Sequence, residues 1–163
     1  MFFAGFGLAR STELVDLPGD PEASRKGVTG RIIKACLQQH LPAVLEEGMT
    51  FQHDNGPTFK SRVVQDWLRN WAYREGITLA EWPPYSPDLN PIENLWSILK
   101  QRICERYPEL VVLKKSAAAK NRLIEAAKEV WDELEDDLFE NLLNSMPRRL
   151  QALRRANGWY TRY

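Results

Sequence analysis

Two carboxylates in this chain stand at the ends of stiff local segments. Asp54 follows Phe51-Gln52-His53 and opens Asp54-Asn55-Gly56-Pro57, where an apolar strand runs into a turn. Glu93 follows the proline-rich run from Trp82 to Pro91 and falls in the first turn of an amphipathic helix. Hard divalent cations take oxygen ligands, so a magnesium-dependent phosphoryl-transfer site needs carboxylates delivered from rigid element ends. Each acid also has a plainer reading. Asp-Asn-Gly is ordinary turn chemistry. Asn90 and Glu93 have the N-cap and N3 spacing of a capping box, in which the glutamate bonds the Asn90 backbone. The helix dipole favours an acid at that place in any case. Spacing alone leaves these readings open.

The elements that must carry the acids follow from periodicity. Two apolar runs, Phe2 to Phe6 and Glu13 to Leu17, flank Gly7 to Ser11 in the pattern of a β-hairpin. Thr29 is placed to cap a helix whose apolar face is Ile33, Leu37, Leu41 and Val44 or Leu45, closed by Gly48. Met49 to His53 reads as a short strand, and a helix with Val64, Trp67 or Leu68, and Trp71 on one face runs on to Gly76. Ile77 to Trp82 alternates as a further strand. The prolines between Pro83 and Asn90 exclude a regular helix or central strand, so that stretch is an extended loop. Asn90 then starts a helix with Pro91 at its first position. Beyond Pro108, Ser116 to Asn144 is mostly helical, with Ala127, Trp131, Leu134, Leu138 and Leu142 on one stripe, and Pro147 opens a last short helix. Strands alternating with helices imply parallel crossovers and an α/β sheet.

Composition narrows the field only mildly. The 163 residues suffice for one domain with a real core, at 44% apolar and 27% charged content. Net charge is zero, so bulk charge does not argue for nucleic acid. The charge is uneven, however. Acids dominate from Glu125 to Glu140, whereas the stretch from Asn141 to Tyr163 has arginines and no acid. Arg148, Arg149, Arg154 and Arg155, with Trp159 and Tyr160 beside them, are the candidates for phosphate and base contact. A solvated helix face explains the same residues. Trp67, Trp71, Trp96 and Trp131 lie on apolar stripes and read as core. Cys36 and Cys104 match no metal spacing and read as reduced thiols, and His40 and His53 have no paired ligand spacing. No apolar run is long enough to span a membrane, and the apolar start lacks the basic flank of a signal peptide.

The acidic segments are more specific than generic loop chemistry. Trp82-Pro-Pro-Tyr-Ser-Pro-Asp-Leu-Asn-Pro-Ile-Glu-Asn-Leu-Trp96 closely resembles the segment that carries the last catalytic acid of mariner-like DDE transposases. His53-Asp54-Asn55-Gly56-Pro57 resembles the segment with their middle catalytic aspartate. Gly19-Asp20-Pro21 and Gly27-Val28-Thr29 fit the stretch before the family's first helix, particularly in fungal members, and Ser145-Met146-Pro147-Arg148-Arg149 is also similar. The resemblance implies an RNase H-like α/β fold, a mixed sheet flanked by helices, with a catalytic core over 1–107 and a C-terminal helical extension over 108–163. It implies that Asp54 and Glu93 are catalytic and bind Mg2+ or Mn2+, Asp88 being the nearest rival to Glu93. The implied reaction is metal-dependent DNA cleavage and strand transfer at transposon ends. The implied partners are transposon-end and target DNA and a second copy in a homodimer. A eukaryotic source would place the protein in the nucleus, and any other source in the cytoplasm.

Three departures from the family pattern stand out. The interval from Asp54 to Glu93 is a few residues longer than usual, with the excess around 69–74, and Phe59 stands where many relatives have histidine. More important, the family's first aspartate lies on a strand upstream of Met1-Phe2-Phe3-Ala4-Gly5, which already matches the second strand. The expected sheet lacks its first central strand and leaves two edges unpaired. Were that register wrong, Asp16 or Asp20 would be the first acid. The rival reading of the whole chain is an inactive remnant that serves as a DNA-binding or dimerisation module.

Overall fold

The computed structural model describes residues 1–7, 10–81, 86–114, 116–159 and 161. The expected hairpin is present. β1 (Phe2–Phe3) pairs antiparallel with β4 (Val15–Asp16), and β2 (Phe6–Gly7) with β3 (Arg10–Ser11). Phe2 lies opposite Asp16, but Phe6 lies opposite Ser11, so the second arm carries one extra residue and bulges. Thr12 fixes the bulge. Its hydroxyl accepts from the Gly5 N–H at 3.0 Å and donates to the Glu13 carbonyl at 2.9 Å.

Helix α1 (Gly30–His40) follows, then β5 (Thr50–Phe51), α2 (Arg62–Arg74) and β6 (Thr78–Leu79). β5 and β6 are parallel, with Thr50 opposite Thr78, and α2 is the crossover between them. Positive-φ Gly48 and Gly76 turn the chain at the two strand starts, and Gly48 N–H donates to the Gly76 carbonyl at 2.9 Å. The family-length excess at 69–74 is absorbed in an unbroken α2. Among the described residues the strands form three two-stranded ladders, and β1 is not bonded to β5.

Helix α3 (Ile92–Arg106) begins one residue later than its proline suggested, with Pro91 as the flanking residue. The last third comprises α4 (Glu109–Val112), α5 (Ala117–Asp132), α6 (Asp136–Asn144) and α7 (Met146–Arg155). The mostly helical stretch expected over 116–144 is two helices, with a break at 133–135. Glu135 is extended there, and Asp136 and Asp137 open α6, where the dipole of a new helix favours acids. Ser116 does cap α5, accepting from the Ala119 N–H.

The hairpin separates two cores. Phe3, Val15 and Leu17 pack with α1, α2, Phe51 and Leu79 around Leu37, Val64 and Leu68. Phe2, Ala4, Phe6 and Leu14 pack with α3, α5 and α6 around Leu95, Leu99 and Trp131. Alternate residues of one hairpin thus feed opposite faces, which makes helix layers on both sides of the sheet. The four tryptophans read as core behave as such. Trp71 and Trp131 are buried, while Trp67 and Trp96 are half-buried against the two clusters. Gly30 lets α2 approach α1, because a Cβ there would lie 2.1 Å from Ser61 Oγ.

Two polar contacts tie distant segments. Trp131 Nε1 donates to the Thr12 carbonyl at 2.9 Å, so α5 grips the hairpin bulge. Asp20 is 3% exposed and accepts from the Thr29 hydroxyl at 2.6 Å, the Glu22 N–H at 3.0 Å and Arg31 Nη2 at 3.0 Å. Thr29 precedes α1 but spends no hydroxyl bond on capping it. Its contact with Asp20 joins the two upstream motifs instead. Trp131→Phe keeps an aromatic ring in the core but leaves the Thr12 carbonyl unpaired. Urea unfolding should show a loss of about 1–3 kcal/mol, and an unchanged midpoint would make that bond dispensable.

The Asp20 contacts predict an acid dependence. The Thr29 hydroxyl, then the Glu22 N–H and Arg31, hold the Asp20 carboxyl below its usual 3.8 and outweigh the opposing effect of burial. A depressed folded pKa means that the contribution is full above about pH 4 and is lost as pH falls through the folded value. Asp20→Asn should lower the melting temperature at pH 7 and flatten its decline between about pH 5 and pH 2. Parallel declines in mutant and wild type would show that other carboxylates govern acid unfolding.

Candidate active site

Asp54 and Glu93 line the same cavity, of about 300 Å³. One wall is Phe2, Phe3 and Phe6 of the hairpin, and the other runs from Phe51 to Asp54 beyond β5. Asn90 to Glu93 and Trp96 close the α3 side, and Leu143 and Met146 enter from the junction of α6 and α7. The cavity therefore lies against both β1 and β5, which among the described residues pair with β4 and β6 respectively.

A direct bond brings the two acidic segments together. Gln52 Nε2 donates to Asn90 Oδ1 at 3.1 Å. Gln52 is two residues before Asp54, and Asn90 is three before Glu93. This contact also decides the capping question. The Asn90 carboxamide faces Gln52, and its own N–H donates to the Pro87 carbonyl at 2.9 Å. α3 has no side-chain cap bond, and the Glu93 carboxylate makes no hydrogen bond or ion pair among the described residues. The plain role for Glu93 is thus unfilled, and its exposed carboxylate remains available to a ligand.

Asp54 performs its turn role with an exposed carboxylate. Oδ1 accepts from the Gly56 N–H at 3.3 Å, and the carboxylate stays exposed. A side chain at 56 would crowd it, since a Cβ there would stand 3.1 Å from Oδ1. The neighbouring ring is fixed as well. His53 stacks on Phe59 with centroids 4.8 Å apart, and its Nδ1 donates to the Asp54 carbonyl at 2.5 Å. Phe59, the departure from histidine, therefore serves as a platform beside the turn.

The rival acids are placed elsewhere. Asp88 is buried, its Oδ2 accepts from the Thr161 hydroxyl at 2.9 Å, and it does not line the cavity. Asp20 is engaged before α1, and Asp16 lies 3.9 Å from the N-terminal ammonium. Neither lines the cavity. Two exposed carboxylates on one cavity suit a hard divalent cation whose other positions are filled by water. No group of three metal-ligating side chains occurs among the described residues.

The basic candidates divide. Arg148, Arg154 and Arg155 are exposed on α7, and Trp159 is 74% exposed beyond it. Arg149 is different and corrects the expectation of a phosphate contact. It is 2% exposed, and its guanidinium bonds the Asp88 carbonyl, Asn94 Oδ1 and Ser145 Oγ, each at 2.7 Å. Sequence reasoning missed this because a five-residue basic motif does not reveal which arginine turns inward. The expected extended segment at Pro83 to Tyr85, and Tyr160, lie outside the described residues. Burial pushes the Cys36 thiol up to about 11, consistent with a plain core residue.

Known proteins resemble this chain in sequence and in fold. The Tc1 transposase of Caenorhabditis elegans is 39% identical over 116 residues, covering 71% of this chain and 38% of that protein. The Tcb1 transposase of Caenorhabditis briggsae is 36% identical over 132 residues, covering 81% and 44%. The chain thus spans about two fifths of the length of these curated relatives. The crystal structure of the catalytic domain of Mos1 mariner transposase superposes with a TM-score of 0.58 at 17% identity, over 99% of this chain and 80% of that one. At that identity the likeness establishes the fold, which is RNase H-like with helices on both faces of the sheet. The sequence model for the DDE superfamily endonucleases matches residues 23–111, a span that is more than half of the chain and holds both cavity acids, and the chain belongs to that family.

Proposed function

We propose that this chain is the catalytic portion of a DNA transposase, in which Asp54 and Glu93 bind Mg2+ or Mn2+ and DNA is the substrate. The observation that carries the reading is the shared cavity, with its Gln52–Asn90 bond between the two acidic segments. A divalent ion held there would neutralise charge on a scissile phosphate and make water or a 3′-hydroxyl a better nucleophile. The chain's own contribution is position. β5 delivers Asp54 at a turn that Gly56 keeps open. The start of α3 delivers Glu93, and Gln52 fixes one segment against the other.

Residues 1–107 form the catalytic core in this reading, and 108–163 are a helical extension of the same domain. The shared cluster of Leu95, Leu99, Trp131 and Phe139 supports placing both parts in one domain. Arg148, Arg154, Arg155 and Trp159 are proposed DNA contacts. Met146, the first residue of α7, lines the cavity, so this exposed basic helix starts at its rim. Work on chromosomal DNA in a eukaryote implies a nuclear location, and paired transposon ends imply a homodimer. A second reading, an inactive module that binds DNA or dimerises, is favoured by one observation. The described residues offer the cavity two carboxylates and no cluster of three metal-ligating groups.

Glu93→Gln separates the roles of that residue. Glu93 is exposed and has no side-chain partner among the described residues, so stability should change by less than about 1 kcal/mol. Calorimetric titration with Mn2+ should show a sharp loss of affinity. Equal affinity in both proteins would return Glu93 to a structural part. Asp54→Asn keeps the acceptor for the Gly56 N–H and removes the charge. Supercoiled plasmid incubated with Mg2+ should be nicked slowly by the wild type and not at all by this variant. If neither protein nicks DNA while both retain it in a gel-shift assay, the inactive module is the correct reading.

A further inference from the structure

Among the described residues of the basic tail, Arg149 is the least exposed charged side chain, and three of its bonds reach a backbone carbonyl, a side-chain amide oxygen and a hydroxyl. Its Nη1 reaches the Asp88 carbonyl in the loop before α3, at 2.7 Å. Its Nη2 reaches Oδ1 of Asn94, the residue after Glu93, at 2.7 Å. Its Nε reaches Ser145 Oγ at 2.7 Å, and that hydroxyl in turn donates to the Leu142 carbonyl at 2.5 Å. One guanidinium thus joins the loop, the first turn of α3 and the α6–α7 junction. Thr161 adds a second grip, donating to Asp88 Oδ2 at 2.9 Å.

The loop requires such a grip. Its own backbone bonds are short-range: Leu89 to Ser86, Asn90 to Pro87, Glu93 to Asn90 and Asn94 to Pro91. They shape the turn but do not tie it to the rest of the protein. Gln52 ties it on the cavity side. Arg149 and Thr161 tie it through Asp88 and Asn94, and neither of them lines the cavity. We propose that Arg149, seconded by Thr161, is a positioning residue for Glu93, and that the C-terminal helix holds the metal-binding carboxylate in register with Asp54. The inference rests on the reading of Glu93 as a metal ligand. Lysine cannot replace arginine here, because one ammonium cannot serve three separated acceptors in a planar fork.

The test uses the full 163-residue chain and two readouts. Amide hydrogen exchange at Asn90, Glu93 and Asn94 reports the loop directly, and Mn2+ titration reports the site. Arg149→Lys should speed exchange at those amides by about tenfold or more while the amides of α1 keep wild-type rates. Mn2+ affinity should fall by about tenfold, as for loss of a residue that orients a ligand. Thr161→Val should shift both readouts in the same direction by less, and Thr161→Ser should restore them. Should Arg149→Lys fail to fold, the Thr161 pair decides the matter alone. Unchanged exchange in a folded Arg149→Lys protein overturns the proposal, and so does an equal rise in exchange across α1, which would mark a general stabiliser. Faster loop exchange with undiminished affinity also overturns it, provided that Glu93→Gln loses the metal. If Glu93→Gln binds Mn2+ as well as wild type, the metal reading fails, and exchange alone then decides whether Arg149 positions the loop.

Discussion

The bond from Gln52 to Asn90 is the constraint on which the site depends. Asp54 and Glu93 come from opposite sides of the α2–β6 crossover, and nothing local relates them. A single amide pair at 3.1 Å joins the strand end to the loop. The bond withdraws Asn90 from its expected helix-capping role and so leaves the start of α3 without a side-chain cap. That uncapped turn is what leaves Glu93 unengaged. A helix N-terminus also attracts anions and acids through its dipole. The same geometry therefore leaves the exposed carboxylate open to a ligand.

Stability and position come from different parts of the molecule. The two apolar clusters, one on each face of the hairpin, supply the driving force for folding. Apolar packing is tolerant of small displacements along a face, whereas a metal site is not. The long-range polar contacts supply the registration: Trp131 to the Thr12 carbonyl, Asp20 to Thr29 and Arg31, Gln52 to Asn90, and Arg149 to Asp88 and Asn94. Each joins elements that the hydrophobic clusters only bring near one another.

Much of this was legible in the sequence. The helix faces around Leu37, Val64, Leu68 and Leu95 follow from a 3.6-residue period, which is a local property. Asp54 and Glu93 were identifiable because their flanking segments are distinctive in composition, and the structure does bring them to one cavity. The misreadings share a cause. The Asn90–Glu93 capping box is a sound local inference, but a partner 38 residues away took the Asn90 side chain. Thr29 was placed to cap α1, but Asp20 engages its hydroxyl. Arg149 was grouped with its exposed neighbours, although a helix turns successive residues about 100° apart. The hairpin bulge escaped notice because the second arm is too short for a one-residue break in alternation to stand out. In each case a tertiary contact, invisible to a window of ten residues, outcompeted the local choice.

The buried arginine sharpens the contrast between stability and position. Removing a charge from water costs several kcal/mol, which hydrogen bonds to the buried group offset only in part. A hydrophobic residue of similar size would fill the space between α7 and the loop at lower cost. It would not discriminate between neighbouring registers of the loop, because dispersion contacts change little over a fraction of an ångström. Three directional bonds from one planar group do discriminate, since each weakens steeply when bent or lengthened. The arrangement thus exchanges some stability for a fixed loop. That exchange is hard to account for if the loop has only to close the chain between β6 and α3. It follows directly if the loop must present Glu93 to the same cavity as Asp54.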